Sequence, residues 1–516
     1  MSETAGTAGG RAARLRAAIG LLAFLALAGV GIAHHEMWRD EHHAWLLARD
    51  AAGPLALFDN LRWDMTPGFW HLLLWVVTRF THDPRAMQLL NLVFATGTAW
   101  VVLRYAPFPF VLRLLVVFGY YVGYEYAVIS RVYAPGTLFV FVLCALWSTR
   151  HARPVTIGIL LILLANTPSL YGVIATGFFM LLLAVDLIAH AGERGPAFTA
   201  IWIGSLGVVA SLVQTLPRSD NPFAAGKATL AFEPARLERV VQFFASLFVP
   251  IPEARIYTWW NSNIVTGRSI AVDTVLAVAW LATVVWVLWR SRALLAAWLV
   301  ATSGVLFAAY QGGFVSMRHG GYVVILFVAA LWIAKSGPAP ETLAQRRRLA
   351  VAVLMAISVI GGVTAWVREL GTSFSAVEAT AQFLREEELD RVPIAGAHDF
   401  VVASLASLLD LDGIYYPQRR GWGTFVRWDP QRGQGMTLEQ GSREVAARVA
   451  ASNERMIFVL TVPPMRRGPD GREQLVVEGW IIPGVRIRLL GAFTESVVAD
   501  ERMFVYEVAP VSASRR

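Results

Sequence analysis

The chain has 516 residues, of which 56% are hydrophobic and 16% charged, and its mean hydropathy is +0.51. These values exclude an ordinary soluble domain and point to a mostly α, polytopic membrane protein. The net charge of +8 does not indicate nucleic acid as a partner, because the arginines fall between apolar runs, as topology signals do; the Ala- and Arg-rich, Lys-poor usage suits a high-GC bacterial genome.

Apolar runs lie at 17–33, 67–80, 86–103, 111–129, 134–147, 155–166, 170–189, 198–216, 270–289, 293–311, 320–334 and 349–367, which predicts about 11–12 transmembrane segments. The first follows Arg11, Arg14 and Arg16 and lacks a small-x-small cleavage site, so it is expected to be an uncleaved anchor. Arginines 104, 113, 150, 153, 194, 290, 292 and 346–348 mark one face as cytoplasmic. The opposite face then receives the first loop at 34–66, a long loop at 217–269 and everything after about 368. Two runs, 67–80 and 86–103, stand where this order needs one crossing. Either 67–80 is re-entrant or interfacial, or Arg104 and Arg113 face outward.

Residues 1–368 thus form the membrane domain and 369–516 a polar tail. In the tail, strand-like runs at 392–395, 414–416, 456–460, 485–490 and 503–508 alternate with helical patterns at 397–409 and 442–452, which predicts a small α/β domain. Cys144 is the single cysteine, so no intrachain disulfide or cysteine zinc site is possible.

Four constellations carry possible chemistry. In the first loop, Asp40-Glu41 is followed by His42-His43 and by Ala44, Leu47 and Ala48 at helical spacing. That pattern predicts a helix in the membrane interface with its apolar side in lipid and its acids at the N-terminus. A carboxylate there can take a proton from an acceptor or join a Mg²⁺ or Mn²⁺ shell, and the same pair equally suits an N-cap on a solvated helix. The four nearby histidines lack an H-E-x-x-H spacing, so zinc is not expected. The second constellation is Asp64-Met65-Thr66-Pro67-Gly68, with Pro67 at a helix start. The third runs from Glu125 to Ser130-Arg131-Val132-Tyr133. The fourth, Arg318-His319-Gly320-Gly321, opens a late helix, where an arginine beside glycines can hold a lipid phosphate. Headgroup snorkelling is the better account of a lone arginine at such a place, Arg131 or Arg318. In the 217–269 loop, 240–249 is amphipathic and Trp259-Trp260 reads as an interfacial pair, while His398-Asp399 in the tail reads as a helix start.

In order and approximate spacing over residues 1–335, these pieces resemble the GT-C class of polyprenyl-phosphate-sugar-dependent glycosyltransferases, in particular the protein-mannosyltransferase and aminoarabinose-transferase-like branch. The branch has an Asp-Glu pair in the first external loop (here Asp40-Glu41), an acid before a Thr-Pro-Pro-Leu-like helix start (Asp64 to Pro67), a Glu-x-Arg-x-Tyr-like element (Arg131 and Tyr133) and a late Arg-Tyr or Arg-His (Arg318-His319). The chain departs from it in three ways. Gly68 replaces the second proline, Glu125 stands six residues before Arg131 rather than two, and an arginine expected at the next helix start is Gln88 or has moved to Arg85.

The resemblance implies inverting transfer of a sugar from a polyprenyl-phosphate donor to an envelope glycan, lipid or protein on the periplasmic face of the bacterial inner membrane. Asp40 would be the general base, and Glu41 would orient it or meet the acceptor or a metal. Arg131, Arg318, His319 and Tyr133 would bind the donor phosphate, with His42, His43, Asp64 and Glu125 in support. A metal, if used, would sit on Asp40, Glu41 and Glu125. The rival readings are a flippase of lipid-linked saccharides, against which no internal repeat is evident, and a non-catalytic scaffold with a sensor tail.

Overall fold

The computed structural model describes all residues except 1, 190–191, 193, 217–220, 222–231, 314, 336–344, 433–435, 468–471 and 512–516. Most of the first half of the long 217–269 loop therefore lies outside the described residues. The rest is a helical body followed by a small sheet domain. In chain order the body contains α1 (Ser2–His34), α2 (Arg39–Arg49), α3 (Pro54–Asp64), α4 (Phe69–Val77), α5 (Arg85–Tyr105) and α6 (Phe110–Val117). It continues through α7 (Tyr133–Leu146), α8 (Pro154–Ala165), α9 (Ser169–Ala189), α10 (Arg194–Thr215), α11 (Pro234–Leu247), α12 (Ile270–Leu288), α13 (Arg292–Gly312), α14 (Met317–Lys335) and α15 (Gln345–Glu369).

Among the described residues, eight helices are long and apolar enough to cross a bilayer: α1, α5, α9, α10 and α12 to α15. The other four apolar runs of the sequence form shorter helices. The run 67–80 yields α4, of 9 residues, which at 1.5 Å per residue is under half the ~30 Å hydrocarbon thickness; this length fits the re-entrant or interfacial alternative for that run. The run 111–129 does not form one helix. It breaks after the 8 residues of α6 into a π-helical turn at Tyr120–Glu125, every residue of which is buried. Irregular backbone of this kind persists inside an apolar body only when its polar groups find partners. Here Ser358 Oγ accepts from Tyr120 N–H at 3.0 Å, and Asn91 Nδ2 donates to the carbonyls of Tyr126 and Ala127 at 3.2 and 3.0 Å.

The tail begins with α16 (Val377–Glu386). It then runs β1 (Ile394–Gly396), α17 (Asp399–Val402), α18 (Ser404–Leu408), β2 (Ile414–Tyr416), β3 (Gly421–Gly423), α19 (Leu438–Ser452) and β4 (Met456–Leu460). A hairpin of β5 (Met465–Arg467) and β6 (Glu473–Leu475) precedes β7 (Glu478–Ile482), β8 (Val485–Phe493) and β9 (Met503–Pro510). The main sheet has the order β3-β2-β1-β4-β9-β8-β7. β1 runs parallel to both β2 and β4, with Ala395 opposite Tyr415 and Phe458, and the remaining pairs are antiparallel. The expected α/β organisation and its five strands are present. The helical pattern at 397–409 splits into α17 and α18, and His398-Asp399 stands at the start of α17 as expected. Asp399 is tied down by Arg432 through two bonds of 2.8 Å.

Helix α2 forms where the acids predict it, but it does not lie with an apolar side in lipid. Trp45, Leu46, Leu47 and Ala48 are all essentially without exposure. Trp45 and Ala48 join the core of the helical body, Leu47 packs with Leu57 and Leu61 of α3, and Leu46 enters the core of the tail beside Leu405 and Ala406. Arg49 reinforces the same junction through Ala406 O at 3.0 Å and Asp410 at 3.1 Å. The helix is thus buried on both sides because the tail covers the face expected to meet lipid. Leu46→Ala is expected to lower stability by about 2–5 kcal/mol, read as a drop in the thermal unfolding midpoint of the purified protein; a lipid-facing leucine would give a change near zero.

Candidate functional site

The start of α2 is fixed before any chemistry is possible there. Glu41, three residues into the helix, accepts from Trp38 N–H at 3.2 Å, half of a capping box. Its other oxygen accepts from Ser130 N–H at 2.6 Å. Between Glu41 and Glu369 lies His35, bonded to the two carboxylates at 2.9 and 2.8 Å. Burial alone would lower the His35 value, yet Glu41 and Glu369 together hold it well above the ordinary histidine range. Glu41 has no exposure and both its oxygens are engaged, so it does not contact an acceptor or orient Asp40 directly. It joins the start of α2 to the segment carrying Arg131.

That junction brings Asp40 to Arg131. Asp40 Oδ2 lies 2.8 Å from Arg131 Nη1 and 3.2 Å from Arg318 Nη2. Arg39 Nε approaches the other oxygen at 4.0 Å. Asp40 keeps 29% of its side-chain exposure, so the group is reachable. Partial burial alone would raise its pKa, but Arg131, Arg318, Arg39 and His43 outweigh it and bring the carboxyl down to about 2. The Arg318 guanidinium lies 4.8 Å from the centre of the Trp38 ring and 5.5 Å from that of Trp260; these rings meet edge to face at 4.9 Å, so both stand beside the guanidinium, and a cation beside aromatic rings is held electrostatically. Arg318 Nη1 is buried without an acceptor, an unmet capacity for an anion.

Around this centre, Tyr133 and His319 form an aromatic wall. Tyr133 stacks on Tyr126 at 5.4 Å, and His319 stacks on Tyr171 at 5.1 Å. Gly320 and Gly321, read as room for a ligand, serve packing instead. A Cβ on Gly320 would fall 2.1 Å from Leu247, and one on Gly321 would fall 2.2 Å from the Tyr126 hydroxyl. On the other side of Asp40, His43 Nε2 pairs with Asp64 Oδ1 at 2.9 Å.

The structure therefore brings Asp40, Arg131, Arg318, Tyr133, His319, His43 and Asp64 together. It does not do so with His42 or Glu125. His42 points away and bonds Ser407 of the tail at 3.1 Å. Glu125 accepts from Tyr120 at 2.8 Å and from Trp260 at 3.2 Å, so it stands behind Trp260 rather than beside Asp40. The three acids considered for a metal do not fit one. Asp40 carries two guanidiniums, Glu41 is fully bonded and Glu125 faces elsewhere, and among the described residues no group of three such ligands converges.

The departures from the glycosyltransferase pattern have local causes. Gly68 donates its N–H to Gln214 at 2.8 Å, which proline lacks, and a Cβ there would lie 2.3 Å from the Phe58 ring; α4 accordingly starts at Phe69, two residues past Pro67. Gln88 donates to the carbonyls of Ile32 and His35 at the end of α1, and Arg85 pairs with Glu378 of the tail, so neither supplies an arginine to the site.

Three participants were missed in the sequence. Trp38 carried no reading of its own and Trp260 read only as half of an interfacial pair; Trp259, the other member of that pair, is fully buried and donates to Thr372 at 3.1 Å. Arg39 bridges to the tail through Asp500 at 2.6 Å and Glu501 at 3.5 Å. A cation next to Asp40-Glu41 was a visible signal, but its partners lie near the opposite end of the chain. No protein-family model matches the chain, and no curated protein sequence matches it.

The His43–Asp64 pair makes a pH prediction. Burial alone lowers the His43 value, but Asp64 raises it on balance; burial alone raises the Asp64 value, but His43 lowers it on balance. The His43 contribution is complete below its unfolded value of about 6.5 and is lost as pH rises through the higher folded value. The Asp64 contribution is present above about 3.9 and is lost as pH falls through the lower folded value. The difference in unfolding midpoint between wild type and Asp64→Asn is expected to be largest from about pH 4 to 6.5 and to shrink on either side, as measured by a thermal-shift series across pH.

Proposed function

We propose that the chain is a multi-pass glycosyltransferase of the bacterial inner membrane that moves a sugar from a polyprenyl-phosphate donor to a hydroxyl-bearing acceptor on the periplasmic face. The observation that carries this reading is a single carboxylate, Asp40, shared by Arg131 and Arg318, with one nitrogen of Arg318 buried and unpartnered. Two guanidiniums on one carboxylate leave a net positive site, and guanidinium suits phosphate because its paired N–H groups match two oxygens. Eight helices suited to a bilayer agree with a donor that arrives from lipid.

In this state Asp40 is a weak base, because both arginines stabilise its ionised form. A donor phosphate competes for the same arginines. As they turn to the phosphate, Asp40 loses the charge that depresses its pKa and gains basicity where the acceptor is bound. The acceptor hydroxyl gives its proton to Asp40 and its oxygen attacks the anomeric carbon from the face opposite the phosphate. The bond from that carbon to the phosphate oxygen breaks, the electron pair leaves with the polyprenyl phosphate, and Arg131 and Arg318 stabilise the charge that grows there. Donor binding thus arms the base, which disfavours activation of water in the empty site. Tyr133 and His319 shape the wall beside the phosphate, and His43, held by Asp64, adds positive charge near Asp40.

Asp40→Asn is expected to reduce transfer by about 10²–10⁴-fold in a folded protein, and Arg131→Gln or Arg318→Gln by about 10²–10³-fold, measured as polyprenyl phosphate released from a polyprenyl-phosphate sugar in nanodiscs. Transfer by Asp40→Asn at the wild-type rate would sink the assignment of the base. A C-terminal alkaline-phosphatase fusion is expected to be active in cells; a well-expressed but inactive fusion would place the site on the cytoplasmic face instead.

A further inference from the structure

Beyond the donor site, the tail contains a cavity of about 630 Å³, within the size range of small-ligand pockets. Its place follows from the sheet. The chain leaves β1 to form β2 on one side and returns on the other side as β4, with all three strands parallel where they pair. Connections that diverge in this way open a crevice beyond the carboxyl ends of the two strands, where ligands of α/β sheets commonly bind. His398, two residues past β1, and Thr461, immediately past β4, stand at those ends and hydrogen-bond each other through Nδ1 and Oγ1. His398 holds φ at +60°, a left-handed backbone that a non-glycine residue adopts at a local energetic cost and that is often found at ligand sites. Phe400, Asp500, Arg502 and Phe504 also line it.

The lining indicates the class of ligand. One acid and one base, Asp500 and Arg502, oppose each other in charge, and Arg39 already engages Asp500, so the cavity is not a collector of anions. Two phenylalanine side chains contribute apolar surface, while the imidazole, hydroxyl, carboxylate and guanidinium offer hydrogen bonds in both directions. A neutral ring with apolar faces and hydroxyls on its rim, a saccharide unit, satisfies both. The cavity also shares a wall with the donor site. Arg39 reaches Asp500 at 2.6 Å, lies over Phe400 at 5.4 Å and approaches Asp40 at 4.0 Å.

We propose that this crevice between β1 and β4, lined by His398, Phe400, Thr461, Asp500 and Arg502, binds a saccharide unit of the acceptor and leads its hydroxyl past Arg39 to Asp40. The acceptor role rests on the glycosyltransferase reading; the binding of a saccharide does not.

Full-length protein in nanodiscs is probed with the methyl glycosides of glucose, mannose, galactose and arabinose by saturation-transfer NMR. At least one glycoside is expected to bind, and Phe400→Ala and Arg502→Gln are each expected to weaken it by about tenfold or more. Arg443→Ala, on the exposed face of α19, serves as the control and is expected to bind as wild type does. Arg502 lies at the surface, so its variant decides the matter if Phe400→Ala does not fold. Binding of no glycoside, or equal binding by wild type and Arg502→Gln, overturns the proposal. A wild-type protein that binds glycosides in the crevice but releases no polyprenyl phosphate overturns the transferase reading alone. Active transfer with the same acceptor KM in wild type and Arg502→Gln overturns the crevice as the acceptor site alone.

Discussion

One carboxylate shared by two arginines is the constraint around which the site is organised. Asp40, Arg131 and Arg318 come from α2, from the segment before α7 and from the first turn of α14. Cations crowded in a largely apolar body are tolerated only when paired and shielded, and each neighbour of the cluster contributes to that. Glu41 draws the Ser130 backbone to α2 so that Arg131 meets Asp40. His35 and Glu369 lock Glu41. Trp38 and Trp260 stand beside Arg318, and Glu125 accepts from the Trp260 ring N–H. Glu125 and Glu41 thus act through other residues, which explains how a shifted Glu125 spacing leaves the arginine and aspartate in contact.

How much of this was legible depended on the range of the interactions involved. The eight long helices and five tail strands follow from local periodicity, which the sequence displays directly. Asp40, Arg131 and Arg318 were legible because ionisable groups beside apolar runs stand out. The break at Tyr120–Glu125 was not, since the groups that satisfy its freed backbone, Asn91 and Ser358, lie elsewhere in the chain. The role of Trp260 was hidden because an exposed interfacial tryptophan and one laid over an arginine have the same sequence signature. The burial of α2 was misread for a similar reason: its apolar stripe predicts a covered face without saying whether lipid or protein covers it.

The residues that depart from the expected glycosyltransferase pattern each have a local role of their own. Gly68 leaves room for Phe58 and keeps a bond to Gln214, while Gln88 caps carbonyls at the end of α1. Each replaces a residue of the pattern with one that satisfies backbone next to the site, and neither disturbs the ion cluster.

The position of α2 also bears on how the chain reaches its final form. This helix is made early, yet its outer face is covered by α18, and the residue before Asp40 is anchored by Asp500 and Glu501. Contacts this distant in sequence form late. Until the chain has been made as far as α18, Leu46 lacks its partners, and until Asp500 and Glu501 follow, so does the Arg39 bridge. Asp500 and Glu501 complete the wall beside Asp40, so a truncation that removes the segment from Asp500 onward would take away a support of the helical body.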